Sequence, residues 1–146
     1  MNAPTSPEAL RFNMIEQQIR PWNVLELDIL ELLSVVRRED YVPAVHRSMA
    51  FFDMELPLTD GREPGQCMLS PKVEARILQD LHVKPTDTVL EIGTGSGYMA
   101  ALLAHRAAKV LTLEIDEALA KQAAQTLRAN GVANVEVRHA DGSKPL

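Results

Sequence analysis

The stretch VLEIGTGSGY, residues 89–98, constrains this chain more tightly than any other. Apolar residues run into Gly93, Gly95 and Gly97, and a helical pattern from Tyr98 to His105 follows at once. Glycines at a strand-to-helix turn permit positive φ and let a ligand approach the backbone, where a helix N-terminus presents unpaired N–H groups. A glycine turn alone is a weak signal, but the next segments give it a context. KVLTLEID reads as a second strand, Glu117 to Asn130 as a second helix stopped by Gly131, and VEVRHAD as a third strand. Strand, helix, strand, helix, strand is the pattern of a parallel α/β sheet joined by helical crossovers, with TVLEIG as a buried strand.

Three carboxylates fall where such a sheet binds ligands, at the carboxyl ends of successive strands. Glu91 precedes the first glycine by two residues, Glu114 follows Gly97 by 17 residues, and Asp141 ends the third strand. A carboxylate at the position of Glu114 suits the hydroxyls of an adenosine ribose, and Asp141 is placed for an adenine amino group. Taken singly, each has a structural role open to it: Glu91 as a cap of the turn, Glu114 in a solvated loop, Asp141 as the cap of a following helix. The spacing G-x-G-x-G departs from the dinucleotide pattern G-x-G-x-x-G. Glu91 is also unwelcome beside a pyrophosphate but acceptable near an ammonium and a sulfonium. Both points favour S-adenosylmethionine over NAD, with an NAD-binding oxidoreductase domain as the rival.

Upstream, the chain reads as an N-terminal helical and acceptor-side region, 1–82, before the cofactor-binding region, 83–146. Residues 1–8 read as a loose tail. A helix carries Leu10, Met14 or Ile15, and Ile19 up to Pro21; a second spans Val24 to Val36 with Leu25, Ile29, Leu32, Leu33 and Val36 on one face. Pro43 opens a short third helix toward Ala50. MELPL reads as a short edge strand, and a helix from Ser70 carries Val73, Ile77, Leu78 and Leu81 on one side. Trp22 and Phe12 read as packing residues.

GQCMLSP, residues 65–71, raises the question of a nucleophile at Cys67 or Ser70. No partnered base is recognisable around Cys67. Ser70 before Pro71 reads as an N-cap, whose loss would cost about 1 kcal/mol. His46, His82, His105 and His139 are scattered without ligand spacing, so no metal site is expected. A single cysteine forms no internal disulfide, which suits a reducing cytoplasm. A net charge of −5 disfavours non-specific nucleic-acid binding, and no apolar run reaches membrane-spanning length.

With these residues in place, the chain resembles the protein-L-isoaspartate O-methyltransferase family over nearly its whole length. The resemblance is carried in order by FNMIEQQIRPWNV, REDYVP, ELPLTDGREPGQ, VLEIGTGSGYMAALLA and NVEVRHADGS. It implies a Rossmann-like class I methyltransferase fold, α/β, with an N-terminal helical region before the parallel sheet. It implies S-adenosylmethionine as methyl donor and, as acceptor, the carboxylate of isoaspartyl residues in damaged proteins. By position, Glu91, Gly93, Gly95 and Gly97 would surround the methionine part, Glu114 the ribose, and Asp141 with Gly142 the adenine.

Two departures stand out. The family's acceptor-side motif Gly-Gln-Thr-Ile-Ser-Gln-Pro places its serine at Leu69, so the hydroxyl associated with the acceptor pocket is absent and no catalytic residue is assigned. This leaves a changed acceptor, or a non-catalytic cofactor-binding module, as alternatives. The resemblance also implies a larger sheet than the three strands readable here. On that expectation the chain is an N-terminal portion that binds cofactor weakly without turnover, and TVLEIG has a bare apolar edge open to self-association.

Overall fold

A computed structural model describes residues 6–59 and 65–146. The expected tail and the middle of the LTDGREPGQ loop therefore lie partly outside the described residues. Helix α1 (Pro7–Met14) begins where the Ser6 hydroxyl accepts the Ala9 N–H at 3.2 Å and proline occupies the first turn. The winding then loosens into a π turn, Ile15–Ile19, and tightens into a 3-10 turn, Arg20–Trp22. Asn23, in the left-handed region at φ 60°, ends the run.

Helix α2 (Leu27–Val35) is shorter than the expected run from Val24. Ile29, Leu32 and Leu33 are buried, but Leu25 is exposed because it precedes the helix. There the N–H groups of Leu25 and Glu26 donate to Oε1 of Gln79, at 2.9 and 3.1 Å. Two 3-10 turns follow, Arg38–Asp40 and Ala44–Met49, the second where a short helix was expected. Phe12 and Trp22 are solvent-exposed rather than packed in the core. The Trp22 ring instead lies under the Lys72 ammonium, 4.1 Å from its centroid.

Strand β1 (Leu56–Pro57) is the expected edge strand, and its antiparallel partner β2 (Cys67–Met68) lies inside GQCMLSP. Helix α3 (Pro71–Leu81) buries Pro71, Glu74, Ala75 and Leu78. The expected apolar side is therefore rotated. Ile77 and Leu81 are exposed because they line a cleft, while the carboxyl-bearing Glu74 turns inward. Ser70 does occupy the N-cap position with Pro71 after it, but its hydroxyl makes no capping bond.

The main sheet is parallel in the order β3 (Thr88–Ile92), β4 (Lys109–Glu114), β5 (Val135–His139). Its register sets Glu91 beside Thr112 and Glu114 beside His139. The crossovers are α4 (Tyr98–Arg106) and α5 (Glu117–Ala129), the latter capped by Asp116, which accepts the Leu119 N–H at 3.0 Å. Central strand β4 is buried, with Val110 and Thr112 fully enclosed. Strand β3 is not the buried strand expected: Leu90 is 51% and Ile92 63% exposed. Among the described residues it pairs only with β4, so one edge, and the face carrying these two side chains, are largely uncovered. One apolar cluster joins α1, α2, α3, α4, β4 and α5. No helix among the described residues is long and apolar enough to cross a membrane.

Candidate functional site

The glycine turn is built by the two strands it follows. Pairing with β4 continues past Ile92, because the N–H groups of Gly93 and Thr94 both donate to the Leu113 carbonyl, at 2.8 and 3.1 Å. The chain then reverses with Gly93, Gly95 and Gly97 at φ 96°, 54° and 89°, conformations L side chains rarely adopt. A Cβ on Gly93 would meet nothing within 4 Å, so this glycine faces open space. A Cβ on Gly97 would lie 3.3 Å from Leu127 Cγ, so this glycine lets α5 approach the start of α4.

Glu114 holds the turn from below. Its Oε1 accepts the Gly95 N–H at 2.9 Å and its Oε2 accepts the Asp116 N–H at 3.0 Å. Glu91 is linked to the same turn through hydroxyls. Thr112 Oγ1 donates to Glu91 Oε1 at 2.6 Å, and Thr94 Oγ1 lies 2.6 Å from Thr112 Oγ1. A threonine has one hydroxyl proton, so with Glu91 ionised Thr94 is the donor to Thr112. Burial pushes the Glu91 carboxyl up to about 7, against the pull of the Thr112 hydrogen bond, and the Glu114 charge adds to the rise.

Glu91, Gly93 and Gly95 line a cleft of about 330 Å³ along the free side of β3. Its opposite wall is the acceptor-side segment Cys67–Leu69 with Glu74, Ile77 and Leu81 of α3. Leu69 is 43% exposed and stands in this cleft. Cys67 lines it too, but burial, and then the hydrogen bond to Glu55, push the thiol up and away from thiolate character. Arg38 fixes the acceptor wall from behind, donating to the carbonyls of Ala50 at 2.8 Å and Leu69 at 3.3 Å.

The remaining residues singled out in the sequence lie outside the lining of this cleft. Gly97 is in the α4–α5 contact and Glu114 is under the turn. Asp141 is half-buried, and its Oδ1 accepts the Ser143 N–H at 2.9 Å and the Ser143 hydroxyl at 2.7 Å. Gly142 packs on β3, where a Cβ would come within 2.5 Å of Ile92 Cγ2. Thr94, Thr112, Arg38 and Glu74 were not anticipated. Thr112 had a readable signal, since a parallel register sets it beside Glu91 on the side of β4 that also carries Glu114. The other three needed the tertiary contacts.

A family model described as protein-L-isoaspartate(D-aspartate) O-methyltransferase matches residues 10–145. A protein-L-isoaspartate O-methyltransferase 2 of Anaeromyxobacter sp. (strain Fw109-5) is 38% identical over 138 residues, which cover 94% of this chain and 55% of that protein. The protein-L-isoaspartate O-methyltransferase of Roseiflexus castenholzii is 41% identical over 133 residues, covering 91% and 59%. The chain thus spans about half the length of the curated relatives it matches. Among solved structures, a protein-L-isoaspartate O-methyltransferase superposes with a TM-score of 0.76 at 22% identity, covering 94% of this chain and 43% of that one. A Plasmodium falciparum structure bearing the same family name, in complex with S-adenosyl-L-homocysteine, gives 0.67 at 17% identity, covering 94% and 64%. Both likenesses establish the Rossmann-like α/β fold of class I methyltransferases, and with the family model the assignment is direct: the chain belongs to the protein-L-isoaspartate(D-aspartate) O-methyltransferase family.

Proposed function

We propose that this chain forms the cofactor-binding and acceptor-side portion of an S-adenosylmethionine-dependent O-methyltransferase acting on isoaspartyl carboxylates of damaged proteins, a protein-repair step in the cytoplasm. The observation that carries the reading is the cleft itself, in which Glu91 and the glycine turn face the Cys67–Leu69 segment. S-adenosylmethionine, when bound, supplies an electrophilic methyl group on a sulfonium. The residues fit that group: the open space over Gly93 admits a ligand to the backbone, and the half-buried Glu91, in its ionised form, complements an ammonium or sulfonium. Glu114, Asp141 and Gly142 belong to the ribose and adenine side of this reading, and Gly95 and Gly97 to the turn.

The acceptor carboxylate is already ionised near neutral pH, so no enzyme base is required. The chain's task is to orient the acceptor and exclude water. The Cys67–Leu69 wall, held by Arg38 through the Leu69 carbonyl, orients it, and the apolar side chains of Leu69, Ile77 and Met99 keep water out. The division near residue 82 separates the acceptor wall from the cofactor sheet. Strand β3, with Leu90 and Ile92 exposed, is the surface through which the chain would self-associate.

Calorimetric titration with S-adenosylhomocysteine and with NAD tests the cofactor. Binding of the first and not the second supports the reading, and the reverse overturns it. A radiolabelled methyl-transfer assay on an isoaspartyl peptide then tests the acceptor. The exposed leucine at position 69 favours a second reading, a cofactor-binding module without transfer, which binding of S-adenosylhomocysteine without methylation of that peptide or of lysate proteins would establish.

A further inference from the structure

Glu74 is a buried titratable group of the cleft that the proposed function leaves unused. It sits in the first turns of α3, four residues beyond Ser70, whose carbonyl accepts the Glu74 N–H at 3.2 Å. Only 4% of the residue is exposed, yet it lines the same cleft as Leu69 and Glu91. Its Oε1 has no hydrogen-bond partner among the described residues. Arg38 is the nearby cation, but its terminal nitrogens go to the carbonyls of Ala50 and Leu69. A carboxyl group with no bonded cation among the described residues, in a cleft also lined by Met68, Leu69, Ile77 and Leu103, is a poor place for a negative charge.

We propose that Glu74, as the neutral carboxylic acid, is the acceptor-binding residue of the cleft, donating its O–H to one oxygen of the incoming acceptor carboxylate. The inference rests on the methyltransferase reading above and specifies its acceptor side. Glu74 would take over the role left open where Leu69 stands in place of a hydroxyl. One acceptor oxygen then receives the Glu74 hydrogen bond, and the other attacks the methyl carbon. The new O–C bond forms as the C–S bond breaks, the sulfur keeps the electron pair, and no proton is transferred.

The surroundings of Glu74 are consistent with a retained proton. Burial pushes its carboxyl up to about 8; the Arg38 charge opposes this and the Glu91 charge adds to it. The other titratable group facing it is the Tyr98 phenol of α4, which burial pushes upward, so that it stays neutral throughout the range of interest. A carboxylic acid held neutral in an apolar pocket is an established kind of hydrogen-bond donor in enzymes.

The test measures binding of a fluorescent isoaspartyl peptide to the chain saturated with S-adenosylhomocysteine. A peptide whose isoaspartyl carboxyl is amidated serves as the control. The wild type is expected to prefer the free carboxylate, with affinity falling about tenfold as pH rises from 7 to 9.5 and Glu74 ionises. Glu74→Gln keeps an N–H donor that does not titrate, so it should retain the preference and flatten the alkaline limb. Glu74→Leu should lose the preference.

Loss of the preference in Glu74→Gln to the same extent as in Glu74→Leu would mean that the residue acts as an anion, and overturns the proposal. So would a wild-type preference that is flat or rises across this pH range, a result that stands even should a variant fail to fold. Failure of the wild type to bind S-adenosylhomocysteine overturns the methyltransferase reading, and the Glu74 assignment with it. Binding of S-adenosylhomocysteine with no preference for the free carboxylate overturns the Glu74 assignment alone.

Discussion

The N–H of Gly95 donates to Oε1 of Glu114 at 2.9 Å, so the acid at the end of the second strand of the parallel sheet is the support of the glycine turn at the end of the first. The other oxygen of Glu114 accepts from Asp116, which in turn caps α5. One side chain thus ties the turn, the strand end and the next helix together. Glu114→Ala strands two backbone donors and is expected to cost about 2 kcal/mol. Glu114→Gln keeps one accepting oxygen and should cost about half as much. Urea denaturation reads the stability and titration with S-adenosylhomocysteine reads the site. A Glu114→Ala protein with wild-type stability would show that the turn is held by its glycines alone.

The raised carboxyls of Glu74 and Glu91 make stability fall as pH rises. Each binds its proton more tightly in the folded chain than in the unfolded chain, where an ordinary carboxyl loses it near 4.5. The folded state therefore holds more protons between about 4.5 and 7 for Glu91, and between about 4.5 and 8 for Glu74. The contribution is fully present below that window and is lost as pH rises through it. Urea midpoints should decline from pH 5 to pH 8, and Glu74→Gln should decline less. A midpoint that climbs over this range would show that other groups dominate the titration.

Two glycines of the turn should respond differently to a methyl group. Gly97→Ala meets Leu127 at 3.3 Å and an unfavourable φ of 89°, and is expected to lose about 2 kcal/mol of stability. Gly93→Ala meets no atom within 4 Å, so only the backbone strain at φ 96° remains, about 1 kcal/mol. Its methyl group instead occupies the open space over the turn. Gly93→Ala should therefore weaken S-adenosylhomocysteine binding more than its stability loss explains. Equal effects on stability and binding in both variants would argue against Gly93 facing the ligand.

Much of the parallel sheet was legible because its signals are local. Glycines stand at the turn, apolar runs mark the first two strands, and Gly131 ends the second helix, at φ 72°. The placement of α3 was not legible in the same way. Its stripe of Val73, Ile77, Leu78 and Leu81 has helical period and suggests a core face, yet of the four Leu78 alone is buried, Ile77 and Leu81 border a cleft, and Glu74 is enclosed. Periodicity reports which residues share a side, not which side meets the protein. Glu74 is faced by the charge of Arg38 and the phenol of Tyr98, both distant from it in sequence. The exposure of β3 has the simplest cause: an apolar run is buried only where another element covers it.

The contrast between Ser70 and Asp116 tests how far an N-cap sequence predicts an N-cap bond. Both residues have extended backbone at the start of a helix. Asp116 accepts the Leu119 N–H at 3.0 Å, whereas the Ser70 hydroxyl makes no such bond and proline supplies the first turn of its helix. The φ of Pro71 is already set for a helix, and proline has no N–H to satisfy. The helix there begins without help from the hydroxyl. Asp116→Ala should therefore cost about 1 kcal/mol, within the usual range for a lost cap, while Ser70→Ala should cost less than about 0.5 kcal/mol. Urea denaturation of the two variants side by side makes the comparison. Equal losses would show that the Ser70 hydroxyl caps α3 in solution, and would restore to it the role that its position before proline suggests.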